Sequence, residues 1–246
     1  MSDNIRRETF TVRSYDSDPN LFLAPIPLCR RIQEAAGAHA DSFGVGVTTL
    51  QTRDLTWMLS RFRIRMESYP RFGSELTVQT WPSGIDKLFA LRDFIVTDAG
   101  GARVASALSA WLIVNLKTRR PARVPTVFNV EYPDIPRAYL ETAEKLQSLE
   151  ESGRETDFHV RYRDVDANRH VNNVAFIEWV VESVPPEVLM GCRLRELDID
   201  YVSEAHFPQT VKARCAEGEN GVYRHGLYGE DGREIGRART AWDPVA

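Results

Sequence analysis

The apolar positions of the chain predict two amphipathic helices separated by a long interval. The first is predicted from about Pro27 to Ala40 and the second over residues 172–184, because apolar side chains recur there three or four residues apart. The positions that carry the pattern are Leu28, Ile32, Ala35 and Ala36, and then Val174, Ile177, Val181 and Val184. The Pro185-Pro186 pair should end the second helix, since proline removes a backbone donor and clashes with the preceding turn.

Much of the remaining chain alternates between apolar and polar residues and is predicted to form strands. Residues 8–15 alternate in this way through Phe10 and Val12. Turn sequences then separate the later strands: Pro82-Ser83-Gly84, Asp98-Ala99-Gly100-Gly101, Glu219-Asn220-Gly221 and Glu230-Asp231-Gly232. One helix among several antiparallel strands in each half indicates an α+β fold with the helix packed on one face of a sheet.

The two halves of the chain repeat one another. Residues 10–20 reappear at an offset of 148 positions without a gap. The matching pairs are Phe10 and Phe158, Val12 and Val160, Arg13 and Arg161, Asp16 and Asp164, Asp18 and Asp166, and Asn20 and Asn168. Later strands match at shorter offsets, for example Trp111 with Trp242. This self-similarity indicates a duplicated domain in which each copy has a strand, a polar loop, a helix and further strands.

A polar loop, residues 164–173, leads into the second helix and carries the chain's densest group of reactive side chains. It holds two carboxylates, three carboxamides and one of the five histidines. Backbone N–H groups at a helix N-terminus favour an anion, so an imidazole, an amide and a carboxylate beside it have the parts for acyl-transfer chemistry. The same Asp and Asn residues could instead serve as helix caps and turn formers.

The repeat makes the two polar loops unequal. The first half keeps Asp18 and Asn20, but Phe22 stands where the second half has His170. Ala24 and Pro25 likewise stand opposite Asn172 and Asn173. The second half is therefore predicted to be catalytic, and the first is predicted to bind substrate.

Composition and charge exclude several classes of protein. A net charge of −4 gives no general attraction to nucleic acid or to an anionic membrane, and no apolar stretch reaches the roughly 18 residues of a spanning helix. The three cysteines are scattered and include no CxxC, which argues against a disulfide scaffold or a zinc site and for reduced thiols. No apolar run follows the N-terminus, so no signal peptide is expected. Together with the reduced thiols, this predicts a cytoplasmic protein.

The repeat also sets the expected domain limits. They are 1–118 for the N-terminal domain, 119–156 for a linker and 157–246 for the C-terminal domain. Within the linker, the charged residues 138–151 predict a short exposed helix.

The polar loop and the helix after it resemble the catalytic motif of the acyl-acyl-carrier-protein thioesterases of plant plastids and bacteria. The resemblance is carried by Asp166-x-Asn168-x-His170-Val171-Asn172-Asn173 and continues through Ile177, Trp179, Glu182-Ser183 and Pro185. It implies a tandem (double) hotdog fold, with two long helices each wrapped by an antiparallel sheet and the two half-sheets joined into one. It also implies hydrolysis of the thioester of a fatty acyl-acyl carrier protein, which releases the free fatty acid.

The resemblance assigns catalysis to Asp166, Asn168, His170 and Glu204, with Asn172 and Asn173 as substrate-binding candidates. The asymmetry of the repeat adds Phe22 and Trp57, which could line an acyl tunnel or be ordinary core residues. The family carries a Glu-Cys pair where this chain has Glu204-Ala205, so a thiolate at this position cannot be the nucleophile. Water attack assisted by a carboxylate and His170 remains, with a covalent anhydride on Asp166 or Glu204 as the alternative. Backbone N–H groups at the start of the helix would stabilise the oxyanion, and no metal or cofactor is required.

The implied partner is an acyl carrier protein, which is acidic. A basic cluster at Lys117, Arg119, Arg120 and Arg123 is the main candidate docking site, and Arg30-Arg31 is a second. Three other functions remain open: a hotdog acyl-CoA thioesterase, a hotdog dehydratase and a non-catalytic acyl-binding protein. A monomer or a homodimer is expected, because a tandem repeat supplies in one chain what single hotdog domains obtain by pairing.

Two matching strands carry opposite charges on their outward positions. These are Arg61, Arg63 and Arg65 in the first half and Glu196, Asp198 and Asp200 in the second. Because opposite charges on neighbouring strands are favourable, the two strands are predicted to lie side by side and join the half-sheets. Two separately solvated faces are the alternative.

Overall fold

A computed structural model of the protein describes residues 4–138, 145–150 and 153–245. The chain forms two compact units, Met1–Ala143 and Glu144–Ala246, called here the N-terminal and C-terminal units. In the described residues no helix is long and apolar enough to cross a membrane.

The N-terminal unit is an antiparallel sheet packed against one long helix. Its elements are β1 (Arg6–Thr11), α1 (Pro25–Ser42), α2 (Val47–Gln51), β2 (Leu55–Met66), β3 (Glu75–Asp86), β4 (Phe89–Asp98), β5 (Arg103–Asn115), β6 (Pro121–Ala122) and α3 (Val124–Val127). A 3-10 turn at Ser14–Asp16 follows β1. The strand order is β1-β3-β4-β5-β2, and β6 pairs with β5.

The C-terminal unit repeats this arrangement. Its elements are β7 (Arg154–His159), a 3-10 turn (Tyr162–Asp164), α4 (Asn173–Glu182), α5 (Pro186–Gly191), β8 (Cys192–Tyr201), β9 (Thr210–Glu217), β10 (Val222–Tyr228) and β11 (Glu234–Pro244). Its strand order, β7-β9-β10-β11-β8, is that of the first unit strand for strand. The predicted α+β class and the duplication are confirmed.

The 148-residue offset holds for each element up to the start of the helix. Strands β1 and β7, the two 3-10 turns and the first residues of α1 and α4 are each 148 positions apart. The helix predicted from Pro27 to Ala40 runs from Pro25 to Ser42. The second helix, predicted over 172–184, is shorter and runs from Asn173 to Glu182. Pro186 then begins the separate helix α5. Proline is favoured in the first turn of a helix, where its missing N–H has no intrahelical partner.

Both long helices are held by an apolar face turned toward the sheet. In α1 the buried apolar residues are Leu28, Cys29, Ile32, Ala35 and Ala36, and in α4 they are Val174, Ala175, Phe176, Ile177, Trp179, Val180 and Val181. Burying an aliphatic side chain contributes about 1.5–3 kcal/mol, so this packing outweighs the intrinsic preferences of the helix residues. Helix α4 is apolar around most of its circumference and is accordingly the more deeply buried.

The segment after α3 is tied to the N-terminal unit by one buried carboxylate. The Asp93 side chain is fully buried, and its oxygens accept hydrogen bonds from Arg137 Nε (2.8 Å) and Arg137 Nη2 (2.9 Å). The backbone N–H of Ala138 (2.8 Å) and the hydroxyl of Ser83 (2.7 Å) donate to the same group. This Asp93 clamp places part of the predicted linker in the N-terminal unit.

Residues 145–150 belong instead with the C-terminal unit. Leu146 N donates to Asp200 Oδ2 (2.9 Å), and Arg237 Nη1 donates to Leu146 O (3.0 Å). The helix predicted over 138–151 is wrong for 145–150, which are not helical; 139–144 and 151–152 lie outside the described residues. A charged composition permits a helix, but these residues bond to the sheet through their backbone.

The acidic row on β8 is not a solvated face. Asp198 and Asp200 are 8% and 7% exposed. Within the unit, Arg239 on β11 reaches Glu196 (3.3 Å) and Asp198 (3.7 Å). The pairing of this row with the arginines of β2 stays a prediction.

Candidate active site

The candidate catalytic loop, residues 164–172, is folded around the carboxylate of Asp166. Its Oδ1 accepts hydrogen bonds from the backbone N–H groups of Asn168 (2.8 Å) and His170 (3.4 Å). Backbone bonds from Asp166 N to His170 O (2.8 Å) and from Arg169 N to Asp166 O (3.0 Å) complete the turn, and Arg169 has a positive φ of 64°. Asp166 is therefore first of all the residue that gives the loop its shape.

A backbone hydrogen bond between the residues that directly follow them brings His170 and Glu204 together. Val171 N donates to Ala205 O (3.0 Å), which fixes the loop against the segment after β8. His170 Nε2 then lies 3.5 Å from Glu204 Oε2, with the side chains 32% and 22% exposed. The structure thus joins these two predicted catalytic residues, although β8 ends at Tyr201, before Glu204 is reached. A half-buried imidazole and carboxylate in contact can exchange a proton with a water molecule.

A second imidazole completes the group and was missed by the sequence reasoning. The rings of His170 and His206 meet edge to face, with 5.2 Å between centroids. His206 lies on a tight turn, where its N–H donates to Gln209 Oε1 (3.0 Å) and its carbonyl accepts from Gln209 N (2.9 Å). One donor atom from each of His170, Glu204 and His206 lies within 4.8 Å of the others, a set that could hold a metal ion. The adjacency of His206 to Glu204-Ala205 was the available signal.

The first turn of α4 offers one backbone donor to a ligand. Asn172 caps the helix: its Oδ1 accepts from Val174 N (2.8 Å), its carbonyl accepts from Ala175 N (2.9 Å), and its own N–H donates to Asp164 O (2.7 Å). Among the described residues, the Asn173 N–H donates no hydrogen bond. The Asn173 carbonyl accepts from Tyr201 Oη (3.1 Å), which ties this turn to the end of β8.

The N-terminal unit holds the same loop with different side chains. Asp18 Oδ1 accepts from Asn20 N (2.8 Å) and Phe22 N (2.9 Å), and Leu21 has the positive φ, 62°. Leu23 N bonds to Pro70 O (2.8 Å) as Val171 does to Ala205, so Tyr69 and Arg71 occupy the places of Glu204 and His206. The Arg71 guanidinium lies over the Phe22 ring, 4.5 Å from its centroid.

The two aromatic residues predicted to bind substrate lie in different parts of the N-terminal unit. Phe22 is on the loop and packs under Arg71. Trp57 belongs to an apolar cluster with the buried residues Val45, Leu50, Leu55, Ile113 and Val124. Its Nε1 donates to Val45 O (2.8 Å), and its ring contacts Trp111 and Phe128 edge-on. Substrate contact by Phe22, Trp57, Asn172 or Asn173 stays a prediction.

The four basic residues predicted for carrier docking are all exposed and lie on one turn and the segment after it. Lys117 N and Thr118 N both bond to Asn115 Oδ1, and Arg119 adopts a positive φ of 58°. Lys117 Nζ is already paired with Asp54 Oδ2 at 2.5 Å. The net positive charge offered to a partner is therefore smaller than the sequence suggests.

The two buried cysteines, Cys29 and Cys215, do not supply a nucleophile in place of the one missing at Ala205. Cys29, Cys192 and Cys215 are free thiols. Burial raises the pKa of Cys29 to about 12 and that of Cys215 to about 11, so both stay protonated near neutral pH.

A buried histidine network lies inside the C-terminal unit. His225 Nδ1 is 3.0 Å from Ser183 Oγ, and His225 Nε2 is 2.9 Å from Thr240 Oγ1. Because the Ser183 hydroxyl donates to Val180 O, Nδ1 must carry the proton and Nε2 must accept one from Thr240. Burial lowers the pKa of His225 to about 3, so the ring is neutral in the folded protein. Phe94 occupies the matching place in the other unit, opposite Ala107 as His225 is opposite Ala238.

Comparison with known proteins places the chain in a family. The family profile described as the acyl-ACP thioesterase N-terminal domain matches residues 3–132, and that described as the acyl-ACP thioesterase C-terminal domain matches residues 147–244. A curated relative, the chloroplastic palmitoyl-acyl carrier protein thioesterase of Cuphea hookeriana, is 30% identical over 258 residues. The alignment covers 97% of this chain but 62% of the relative, so this chain spans under two thirds of that protein's length.

Two solved structures share the whole fold. An acyl-ACP thioesterase from Bacteroides thetaiotaomicron VPI-5482 superposes with a TM-score of 0.84 and 26% identity, covering 98% of each chain. The 12:0-ACP thioesterase from Umbellularia californica gives a TM-score of 0.87 and 25% identity, covering 100% of this chain and 99% of that one. The fold is accordingly the double hotdog of these enzymes, and the chain belongs to the acyl-ACP thioesterase family.

Proposed function

We propose that this protein hydrolyses the thioester of a fatty acyl-acyl carrier protein and releases the free fatty acid. The observation that supports this most strongly is the contact of His170 Nε2 with Glu204 Oε2 at 3.5 Å, directly before the N-terminus of α4. The N-terminal unit builds the same loop without either group, so the pair is a property of one half alone.

In the proposed mechanism, His170 and Glu204 activate the attacking water. His170 Nε2 takes the proton of the water as its oxygen adds to the carbonyl carbon, and the resulting imidazolium donates a hydrogen bond to Glu204. His170 then returns the proton to the leaving thiolate as the C–S bond breaks. Such a positioned acid and base contributes about 10²–10⁴-fold to a rate. Asp166 acts through the loop by holding the backbone of Asn168 and His170, and Asn168 orients the substrate or the water through its amide.

The developing oxyanion is assigned to the N-terminus of α4. Of the first-turn N–H groups, those of Asn172, Val174 and Ala175 are committed to the loop and the cap. The Asn173 N–H is therefore the proposed donor, supported by the positive end of the helix dipole. One such donor contributes about 3 kcal/mol to transition-state stabilisation. Pro25 occupies this place in the N-terminal unit and has no N–H to offer.

A covalent route remains the competing mechanism, with an anhydride on Asp166 or Glu204. Both carboxylates lie in the candidate site, but Asp166 Oδ1 is engaged by two backbone N–H groups, which favours Glu204 for a direct role. Single turnover in ¹⁸O-labelled water decides the question. Label in the fatty acid alone supports water attack, and label in an enzyme carboxylate establishes the anhydride.

The activity itself is tested by thiol release from matched acyl carrier protein and acyl-CoA thioesters. We expect fast release from the carrier protein substrates, lost in His170→Ala. Faster release from CoA substrates would identify an acyl-CoA thioesterase. Tight acyl binding without release would identify an acyl-binding protein, and hydration of an enoyl thioester would identify a dehydratase.

We further propose that the protein works in a reducing compartment, the cytoplasm. Three free cysteines favour such a setting. The Cuphea hookeriana relative is named as chloroplastic, so imaging of the tagged protein in its own host is the direct test.

A further inference from the structure

The strongest unassigned feature of the molecule is the group formed by His170, Glu204 and His206. His170 Nε2 and Glu204 Oε2 are 3.5 Å apart, and a ring nitrogen of His206 lies within 4.8 Å of both. All three side chains reach solvent, so an ion has access to them. The proposed reaction uses His170 and Glu204 but gives His206 no part.

Two imidazoles and one carboxylate are a donor set suited to zinc. Zinc binds imidazole nitrogen and carboxylate oxygen at about 2.0–2.2 Å, so two ligand atoms on a tetrahedral ion stand about 3.4 Å apart. The His170–Glu204 separation of 3.5 Å already has that spacing. The ligating ring nitrogen of His206 must move roughly an ångström closer to the other two ligand atoms to reach the same spacing. Rotation of this exposed side chain on the 206–209 turn allows that movement.

The matching positions of the N-terminal unit do not offer this set. They hold Phe22, Tyr69 and Arg71, which supply neither an imidazole nor a carboxylate. The same backbone frame therefore carries metal-binding side chains in one half only. His206 itself is needed neither for the loop nor for the cap of α4, whose hydrogen bonds come from other residues.

We infer that His170, Glu204 and His206 bind one divalent transition-metal ion, such as Zn²⁺, and that the bound ion inhibits the enzyme. The inhibition rests on the proposed hydrolase function. An ion on His170 Nε2 takes the lone pair that would accept the proton, and the same ion neutralises Glu204. The metal and the acid–base reaction therefore compete for the same two side chains.

Binding is tested first, without reference to activity. Co²⁺ is titrated into chelator-treated protein while the visible absorption of tetrahedral Co²⁺ is recorded, and Zn²⁺ is then added to displace it. We expect one equivalent to bind in the wild type and the affinity to fall about 100-fold in His206→Asn. His159→Asn, which alters an exposed histidine on β7, is the matched control and should bind like the wild type. Equal binding by all three proteins, or none, overturns the site.

Inhibition is tested by thiol release with and without Zn²⁺, each variant being compared with itself in chelator. We expect micromolar Zn²⁺ to inhibit the wild type and His159→Asn reversibly, and His206→Asn to need about 100-fold more. Hydrolysis that is unaffected by Zn²⁺, or stimulated by it, overturns the inhibitory role. If chelated wild type hydrolyses no thioester, the proposed function fails, while the Co²⁺ titration still decides whether the site exists.

Discussion

The two loops that precede α1 and α4 share one backbone and differ in what they can do. In both, an aspartate accepts two backbone N–H groups, and the residue before the last of these has a positive φ. The differences that bear on the proposed chemistry are Phe22 against His170, Tyr69 against Glu204, Pro25 against Asn173, and Arg71 against His206. The comparison teaches that the repeated aspartate is architecture, and that reactivity comes from the residues in which the halves disagree.

Replacing His170 by phenylalanine, the residue at the matching position of the N-terminal unit, should lower activity more than the other changes proposed here. His170→Phe keeps a side chain that the frame already accepts in the N-terminal unit. We expect kcat for thiol release to fall about 10³-fold, within the range for loss of a general acid–base group, with no change in Tm. His159→Phe, at an exposed histidine on β7, is the control and should leave kcat within a few-fold. Residual activity above a tenth of wild type would mean that the imidazole is not catalytic.

The role of the Asn173 N–H is tested by a proline that the fold tolerates. Asn172 has φ −60° and ψ 140°, the conformation that a following proline requires, and proline is favoured at the first helical position. We expect Asn173→Pro to lower kcat roughly 10²–10³-fold by removing one oxyanion donor. Asn173→Ala retains the N–H and should be much closer to wild type. Equal losses would assign the effect to the side chain instead.

Substitution of Asp18 and Asp166, which hold the two loops in the same way, tests whether Asp166 shapes the loop or takes part in the chemistry. Asp18→Ala and Asp166→Ala each remove the acceptor of two backbone N–H groups, and each should destabilise its unit by about 1–2 kcal/mol. Only Asp166→Ala should also lower kcat, about 10²-fold, because the imidazole loses its position. Thermal unfolding and thiol release are measured on the same samples. A fall in kcat without any loss of Tm would give Asp166 a direct chemical role.

The basic turn of Lys117, Arg119 and Arg120 lies in the N-terminal unit, and reversing its charge should have a smaller effect. Arg119→Glu with Arg120→Glu should raise KM for acyl carrier protein substrates about 10-fold at low ionic strength, and the difference should shrink as salt is added. Arg233→Glu, on an exposed turn of the other unit, is the matched control. If KM is unmoved or salt-independent, docking occurs elsewhere.

The buried His225 should make the stability of the C-terminal unit fall at low pH. Phe94, at the matching position of the N-terminal unit, has no such effect because its side chain does not titrate. Its pKa is about 3 in the folded protein against 6.5 for an ordinary histidine, so the unfolded chain binds the extra proton. Stability is then fully present above pH 6.5 and falls by about 1.4 kcal/mol for each pH unit between 6.5 and 3. His225→Phe should flatten the fall of Tm over that window. Parallel curves for both proteins would show that other groups cause the acid loss.

The gapless repeat made the first part of each unit predictable. The fixed offset itself holds to the residue for β1 and β7 and for the helix starts. The predicted bounds were less accurate, because the strand predicted over 8–15 runs from Arg6 to Thr11 and the helix predicted from Pro27 begins at Pro25. The helix predicted over 172–184 ends two residues earlier, at Glu182, because a helix stops where its backbone finds other partners. Ser183 closes α4 by bonding back to Val180, which the run of apolar residues up to Val184 does not reveal.

The site was predictable where it lies on one stretch of chain and incomplete where it does not. His170 and Asp166 belong to a continuous motif, while Glu204 was found only through the resemblance to the family. His206 was missed although it lies two residues after Glu204, because the sequence does not show that its turn folds back against the loop. The sequence also did not show that the Oδ1 atoms of Asp166 and Asn172 accept hydrogen bonds from backbone N–H groups. A sequence shows that a side chain is polar, but not which backbone groups are bonded to it.

The Asp93 clamp determines where a truncated N-terminal half can end. A chain stopped at residue 118 would lack Arg137 and Ala138, and would leave a fully buried carboxylate without three of its donors. Anyone expressing the first half alone should carry it through Ala138, although that half has completed its sheet and α3 before this point. An autonomous half is thus longer than its helices and strands suggest.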